Sequence, residues 1–156
     1  MFKNVFDIEG KMKMINFPEL RQTYNYDCGA SATQGVLDYF GIDISEGSLI
    51  KLEKTTPEGT MIKNIKKTLK YFGLKYKEKQ MTIEDLKSYI SQGIPVIIAL
   101  QAWSGKKRTI WEKDWTDGHY VVVIGYSSKR IYFEDSFVER RTYLSYQELE
   151  KRWHDI

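Results

Sequence analysis

Cys28 is the only cysteine of the chain and lies in the segment YNYDCGASA, where loop residues give way to a helical pattern. A thiol attacks an acyl carbon as the thiolate, yet a free cysteine with a pKa of about 8.5 is mostly protonated at neutral pH. A helix N-terminus and a neighbouring imidazolium both favour the thiolate. The helix supplies only about 0.3–1 kcal/mol, so a nucleophilic Cys28 also needs a histidine partner.

His119 is the better candidate of the two histidines. It opens HYVVVIGY, a predicted strand that would fix its backbone and leave the ring at the rim of the sheet. Such a position suits a general base, which must be both held and accessible. The other histidine, His154 in KRWHDI, is expected to be an exposed residue near the end of the last helix.

Asp135 is the candidate that would orient the imidazole, because a histidine base needs an acceptor to fix its tautomer. It ends the predicted strand RIYFED, which the turn-like SSK joins to the His119 strand. In such a hairpin the start of one strand lies beside the end of the other, so we expect His119 and Asp135 to be neighbours. Asp117 is an alternative acceptor, and capping a turn is an alternative role for Asp135.

Gln22 lies six residues before Cys28 and carries a neutral amide. Its N–H could join the backbone N–H of Cys28 in stabilising the oxyanion of a tetrahedral intermediate. Seen alone, Cys28 is better explained as a small buried apolar residue. The order Gln22, Cys28, His119 and Asp135 favours catalysis instead.

We expect no metal and no cofactor. Zinc sites in proteins usually use three or four protein ligands. One cysteine and two histidines without short spacing form no recognisable cluster of such ligands.

The segment 101–118, QAWSGKKRTIWEKDWTDG, carries three tryptophans and runs straight into His119. One hypothesis is that this loop walls a substrate groove and offers apolar subsites for a peptide. The alternative is a loop packed by its own rings. On the first hypothesis the substrate-binding residues are Trp103, Trp111 and Trp115, together with Asp27 beside the nucleophile.

The composition sets limits on the class of protein. A chain of 156 residues fits one domain, and 42% apolar with 29% charged residues is ordinary for a globular protein. The net charge of +3 is too small for a dedicated nucleic-acid binder, and the lysine excess of residues 51–79 predicts a solvated helix face. No apolar run has the length of a signal peptide or a membrane helix, and one cysteine forms no internal disulfide. We therefore expect a cytoplasmic protein; its oligomeric state stays open.

Helical patterns come first along the chain and strand patterns follow. Asn25 or Asp27 could cap the first helix, and Thr82 with Asp85 forms a capping box on the fourth. This order predicts one α+β domain over residues 1–156, with a helical lobe over about 1–93 and an antiparallel-sheet lobe over about 94–156. The predicted helices are 28–40, 45–52, 61–73, 82–93 and 145–153, and the predicted strands are 94–100, 119–126, 130–135 and 139–144.

The motifs also resemble a known family. QTYNYDCGASATQGVLDYFG resembles the nucleophile region of bacteriocin-processing peptidases, which are papain-like cysteine peptidase domains fused to exporters of double-glycine-leader peptides. DGHYVVVIGY, RIYFEDS and TYLSYQELEKRW resemble the histidine strand, aspartate strand and closing helix of that family. The likeness covers most of residues 20–153, and because no exporter motif follows in this sequence, we expect a stand-alone relative.

The resemblance implies a papain-like fold and a role for each candidate. Cys28 would be the nucleophile, His119 the base and acid, Asp135 the orienting residue and Gln22 the oxyanion donor. Family members often have proline after the orienting aspartate, where this chain has Ser136.

The expected function is that of a cysteine peptidase that hydrolyses amide bonds of a peptide or protein substrate. Two alternatives remain open. One is a peptide-binding domain without turnover, and the other is a deamidase or transpeptidase that shares the first half of the mechanism.

Overall fold

The structure, a computed structural model, describes residues 5–8, 11–102, 109–113, 118–138 and 140–154. Within these ranges the chain forms five helices and six strands. The helices are α1 (Cys28–Tyr39), α2 (Glu46–Leu52), α3 (Ile62–Tyr71), α4 (Ile83–Ser91) and α5 (Tyr146–Arg152). The strands are β1 (Val5–Ile8), β2 (Met12–Ile15), β3 (Val96–Gln101), β4 (Gly118–Ser127), β5 (Arg130–Asp135) and β6 (Arg140–Ser145), and a short 3-10 helix spans Trp111–Lys113.

Side-chain caps fix the starts of three helices. The Ser45 side chain accepts the N–H of Ser48 at α2, and that of Ser145 accepts the N–H of Glu148 at α5. At α4 both halves of the predicted capping box between Thr82 and Asp85 are present. Each cap satisfies an N–H that the first turn of a helix leaves without an intrahelical partner.

Strand β4 is the centre of an antiparallel sheet. Along one edge it pairs with β5, which pairs in turn with β6. Along the other edge, residues 118–123 of β4 pair with β3 and residues 125–127 pair with β2. Residues 121–124 of β4 are fully buried, because helices α1 and α4 also pack against this strand. The predicted α+β class is confirmed.

The two N-terminal strands differ from the expectation that residues up to about 93 form a helical lobe. β1 pairs with β2, and β2 pairs with β4, so residues 5–8 and 12–15 belong to the sheet. The approach of β2 depends on Gly125, where an added Cβ would lie 2.8 Å from the backbone oxygen of Lys13. Gly125 also follows a register shift between β4 and β5. No helix of the described ranges is long and apolar enough to cross a bilayer.

Candidate active site

His119 and Asp135 are in direct contact, as the hairpin argument predicts. His119 is the second residue of β4, and Asp135 is the last residue of β5. Nε2 of His119 lies 2.5 Å from Oδ1 of Asp135. Both side chains are buried, with 8% and 1% of their surface exposed. A buried carboxylate bound to Nε2 fixes the orientation of the ring and leaves Nδ1 for another partner.

The carboxylate of Asp135 is itself held by a turn. Its Oδ1 also accepts the backbone N–H of Phe137 at 2.9 Å, two residues further on. This is the local pattern by which an aspartate side chain closes a turn on its own backbone. Asp135 therefore closes the turn and contacts His119 through the same oxygen, so the two roles considered for it are compatible.

Helix α1 carries Cys28 to the histidine. Cys28 is the first residue of the helix and is half-buried. An added Cβ at the next residue, Gly29, would lie 2.8 Å from Cβ of Thr60 and 3.3 Å from the ring of Tyr120, the neighbour of His119 in β4. The Tyr120 hydroxyl also donates to the backbone oxygen of Thr60 at 3.2 Å. Glycine at position 29 thus allows the start of α1 to pack closely against the start of β4.

The electrostatics of His119 reflect both of its neighbours. Burial lowers the pKa of the imidazole, but the hydrogen bond to Asp135 and then the hydrogen-bonding contact with Cys28 outweigh it. Together they raise the pKa of His119 to about 9. The ring therefore carries its proton at neutral pH, in the form that pairs with a thiolate.

Gln22 is held at both ends of its amide. Its Nε2 donates to the backbone oxygen of Tyr24 at 2.6 Å, and its Oε1 accepts the hydroxyl of Ser136 at 2.6 Å. Ser136 directly follows Asp135 and is 1% exposed. The structure thus ties Gln22 to the turn that orients His119.

Asp27 does not lie on the surface of the site. Its side chain is fully buried and accepts the backbone N–H groups of Thr23 and Tyr24 at 3.2 and 3.3 Å. It stands at the N-cap position of α1 but makes no side-chain cap there. This buried position of Asp27 does not suit the expected contact of its side chain with substrate. Its carboxylate instead folds the loop between Gln22 and Cys28.

Glu46 joins this loop from α2. Its Oε1 accepts the N–H of Thr23 at 3.1 Å, so the carboxyls of Asp27 and Glu46 meet at one backbone N–H. Burial, followed by the contact with Asp27, raises the pKa of Glu46 to about 7, although the Thr23 N–H opposes the shift. Glu46 can therefore retain its proton close to neutral pH.

The tryptophan segment is described only in part, and Trp103, Trp115 and Asp117 lie outside the described residues. Trp111 begins the 3-10 helix, and the guanidinium carbon of Arg152 in α5 lies 4.0 Å from the centre of its ring. Trp111 therefore packs against the closing helix. This favours a packing role for Trp111, with an arginine of α5 as its partner.

Sequence reasoning missed several residues that shape the site. They are Ser136, Glu46, Thr60 and Phe137, whose half-exposed ring meets His119 edge-on at 6.3 Å between centroids. The signals for Ser136 were its position directly after Asp135 and its departure from the proline that is frequent there in the resembled family. No group of three or more histidine, cysteine, aspartate or glutamate side chains within the described ranges could hold a metal ion.

The arrangement places a thiol, an imidazole and a carboxylate in a row at the start of a helix. The N–H groups of a first helical turn lack intrahelical partners and can bind negative charge. Such a site can carry out nucleophilic attack on an acyl carbon and stabilise the oxyanion that forms.

Comparison with known proteins agrees with this chemistry. A family model described as the peptidase C39 family matches residues 16–156. Similar solved structures were also found, and three of them are informative. The peptidase domain of Streptococcus ComA, a bifunctional ABC transporter involved in a quorum-sensing pathway, has 23% identity, a TM-score of 0.70 and coverage of 86% of this chain and 90% of that one.

A double glycine motif protease from an AMS/PCAT transporter, solved in complex with the leader peptide, has 18% identity, a TM-score of 0.67 and coverage of 90% and 87%. A protein from Bacillus anthracis described as a C39-like peptidase has 18% identity, a TM-score of 0.68 and coverage of 88% and 89%. At these identities the likeness shows a shared fold. No curated protein sequence matches the chain.

Proposed function

The chain belongs to the peptidase C39 family and is a papain-like cysteine peptidase, and from this premise we propose that it hydrolyses peptide amide bonds with Cys28, His119, Asp135 and Gln22. The papain-like fold expected from the sequence is confirmed. The observation that carries the proposed assignment of residues is the row formed by His119 between Asp135, at 2.5 Å, and Cys28.

The proposed first step is attack by the Cys28 thiolate on the substrate carbonyl carbon. His119, protonated and bound through Nε2 to Asp135, pairs with the thiolate before attack. The oxyanion that forms is stabilised by the backbone N–H of Cys28 and by an N–H of Gln22. These donors are worth about 10²–10³-fold in rate when they are well placed.

The second half of the proposed reaction uses the same histidine as acid and then as base. His119 gives its proton to the leaving amine as the C–N bond breaks, which leaves Cys28 as a thioester. Neutral His119 then takes a proton from water, and the resulting attack releases the carboxylic acid and restores the thiolate. Asp135 stays ionised and holds the ring through both steps.

The proposed substrate is a peptide segment that reaches the half-buried thiol in an extended form. One structurally similar protein is described as a double glycine motif protease and was solved with the leader peptide. Two small residues at the bond to be cut would suit a nucleophile set at a closely packed helix start, where Gly29 already meets Thr60 and Tyr120. A peptide with a Gly-Gly pair is therefore the first probe to use.

The test combines thiol reactivity with product mass. Iodoacetamide labelling of the single cysteine at pH 6 is compared in wild type, His119→Ala and the control His154→Ala. In parallel, a Gly-Gly peptide and a peptide library are incubated with wild type and Cys28→Ala and read by mass spectrometry. We expect labelling to slow in His119→Ala only, and cleavage products that need Cys28.

Other results point to the alternatives. Peptide binding without products, together with equal labelling in all three proteins, would contradict the proposal and indicate a peptide-binding domain. Products that have exchanged an amine, or lost an amide nitrogen without chain cleavage, would indicate a transpeptidase or a deamidase. Each product class has a distinct mass, so one experiment separates them.

A further inference from the structure

We propose that Ser136 is a positioning residue that sets the orientation of the Gln22 amide toward the oxyanion. The inference rests on the function proposed above and adds a residue to it. Ser136 takes no part in the chemistry on sulfur or nitrogen. It acts through Gln22, whose Oε1 accepts the Ser136 hydroxyl at 2.6 Å.

The two hydrogen-bond partners of Gln22 determine which position its amide nitrogen occupies and which its amide oxygen occupies. The backbone oxygen of Tyr24 can only accept a hydrogen bond, so the atom 2.6 Å from it must be Nε2. The atom facing Ser136 is then Oε1, and the serine hydroxyl is the donor. The two contacts lie at opposite ends of the amide and exclude the flipped orientation.

This orientation leaves one donor for the substrate. Nε2 of a glutamine carries two N–H groups, and one of them is directed at Tyr24. The second can point at an oxyanion only while the amide stays in the observed plane. A donor that is misplaced by about 1 Å can cost on the order of 10²-fold in rate, so the hold on Oε1 matters for catalysis.

Ser136 is itself rigid enough to provide this hold. Its side chain is 1% exposed, and it is the middle residue of the turn closed by the Asp135 carboxylate and the Phe137 N–H. The turn does not use the Ser136 hydroxyl, so replacing it with hydrogen leaves the turn intact. One short turn at the end of β5 therefore positions His119 through Asp135 and Gln22 through Ser136.

Proline at position 136 would have no hydroxyl, so it could not donate the hydrogen bond that Ser136 gives to Gln22. Proline at position 136 would still allow the Phe137 N–H to bind Asp135, but it would leave Oε1 of Gln22 without this donor. We infer that Ser136 adds a direct bond between the sheet and the loop of Gln22, a link that proline at this position would lack.

The test is a double-mutant cycle on Gln22 and Ser136, measured with a quenched fluorescent peptide that contains one Gly-Gly pair. Ser136→Ala is expected to lower kcat about 10-fold with KM nearly unchanged, and Gln22→Ala is expected to lower it about 10²-fold. The double variant should be no slower than Gln22→Ala, because Ser136 acts only through that side chain. Ser136→Thr, which keeps the hydroxyl, should recover part of the lost kcat.

A second readout reports the contact without turnover. The two side-chain amide proton signals of Gln22, assigned by their loss in Gln22→Ala, should shift in Ser136→Ala in the free protein. Thermal unfolding of each variant shows that the fold is kept.

Several results would overturn the inference. Ser136→Ala with wild-type kcat and unmoved Gln22 signals would show that the bond positions nothing. Equal losses from Ser136→Ala in the wild-type and Gln22→Ala backgrounds would show that Ser136 acts by another route. Wild type that cleaves neither this peptide nor a library peptide overturns the proposed function and the inference with it, whereas active wild type beside unaffected Ser136→Ala overturns the inference alone.

Discussion

Oδ1 of Asp135 accepts two hydrogen bonds at once, from Nε2 of His119 at 2.5 Å and from the backbone N–H of Phe137 at 2.9 Å. The first bond sets the tautomer of the imidazole, and the second sets the carboxylate. Asp135→Asn keeps the size of the side chain but presents an amide that must both accept from Phe137 and face His119. We expect kcat to fall about 10²–10⁴-fold with a smaller change in KM, measured with the Gly-Gly peptide. A loss below 3-fold would show that Asp135 serves only the turn.

The titration of His119 should depend on both of its neighbours, and more on Asp135. The hydrogen bond to Asp135 is the larger of the two effects that raise the pKa of His119, and the contact with Cys28 is the smaller. We expect the imidazole signal of His119 in NMR spectra to titrate near pH 9 in wild type. It should titrate lower in Cys28→Ala and lower still in Asp135→Asn; the reverse order would contradict the assignment.

The raised pKa of His119 makes the free energy of unfolding depend on pH. The pKa of His119 is raised in the folded state, so the native protein binds this proton more tightly than the unfolded chain does. The stabilisation is complete below about pH 6.5 and is lost as the pH rises through about 9. It amounts to about 3 kcal/mol at most. Urea unfolding at pH 6 and pH 9.5 should therefore show a larger fall in wild type than in His119→Asn.

Glu53 should oppose folding at neutral and higher pH. Its side chain is fully buried, and neither carboxyl oxygen has a hydrogen-bond partner within the described residues. Burial raises the pKa of Glu53 to about 7; the nearby Thr33 hydroxyl opposes the shift only in part, since it donates to the backbone oxygen of Gly29. The cost of burying the charge is therefore absent below about pH 4.5, grows up to about pH 7 and reaches about 3 kcal/mol at most above it.

The variant Glu53→Gln removes this titration. We expect its stability relative to wild type to rise between pH 4.5 and pH 8, as measured by urea unfolding. Glu150→Gln, at an exposed position of α5, is the matched control and should show no such trend. A pH-independent difference for Glu53→Gln would mean that the carboxyl finds a compensating partner when it ionises.

The adjacent carboxyls of Asp27 and Glu46 should disturb the loop that carries Gln22, and so lower activity, when the pH rises above 7. The pKa of Glu46 is raised to about 7, first by burial and then by Asp27, so its ionisation above that pH places a charge beside the Asp27 carboxyl at the Thr23 N–H. We expect the ratio of kcat/KM in wild type to that in Glu46→Gln to fall as the pH rises through 7. Glu19→Gln, an exposed carboxyl on the approach to α1, serves as the control. A ratio that stays flat from pH 6 to 8.5 would contradict this prediction.

Trp111 should contribute to stability through Arg152. The guanidinium stacks 4.0 Å from the ring centre, an arrangement worth about 0.5–1 kcal/mol at partly exposed sites. Trp111→Ala and Arg152→Ala should each lower the free energy of unfolding, and the double variant should lose less than their sum. KM for the Gly-Gly peptide should change less than 2-fold. A several-fold rise in KM without loss of stability would restore the hypothesis that this segment walls the substrate groove.

Local signals in the sequence predicted most of the fold that positions the site. Serine or threonine followed three residues later by an acidic residue located the starts of α4 and α5, and a glycine located the end of α1. The hairpin of β4 and β5 followed from two apolar runs around a short polar turn. From this hairpin alone, the contact of His119 with Asp135 could be predicted across 16 residues.

The parts that could not be predicted depend on contacts between distant segments. β2 reads MKMI, too short and too charged to be identified as a strand, and its partner in β4 lies more than 100 residues further on. The bond between Gln22 and Ser136 joins residues 114 apart. Asp27 looks like a cap by its position, yet its carboxylate turns back to Thr23 and Tyr24 because the loop folds over it. The strand conformation of β2 and the hydrogen-bond partners of Gln22 and Asp27 are decided by tertiary packing.

The separation of Cys28 from its partners along the chain has a consequence for synthesis. A ribosome completes the thiol and helix α1 early, adds His119 at the start of β4, and adds Asp135 and Ser136 only at the end of β5 and in the turn that follows. A growing or stalled chain that stops before residue 119 therefore carries Cys28 without the imidazole of His119 that contacts it in the folded protein. The arrangement of the folded protein, with His119 bound to Asp135, can therefore form only after the hairpin of β4 and β5 has been made.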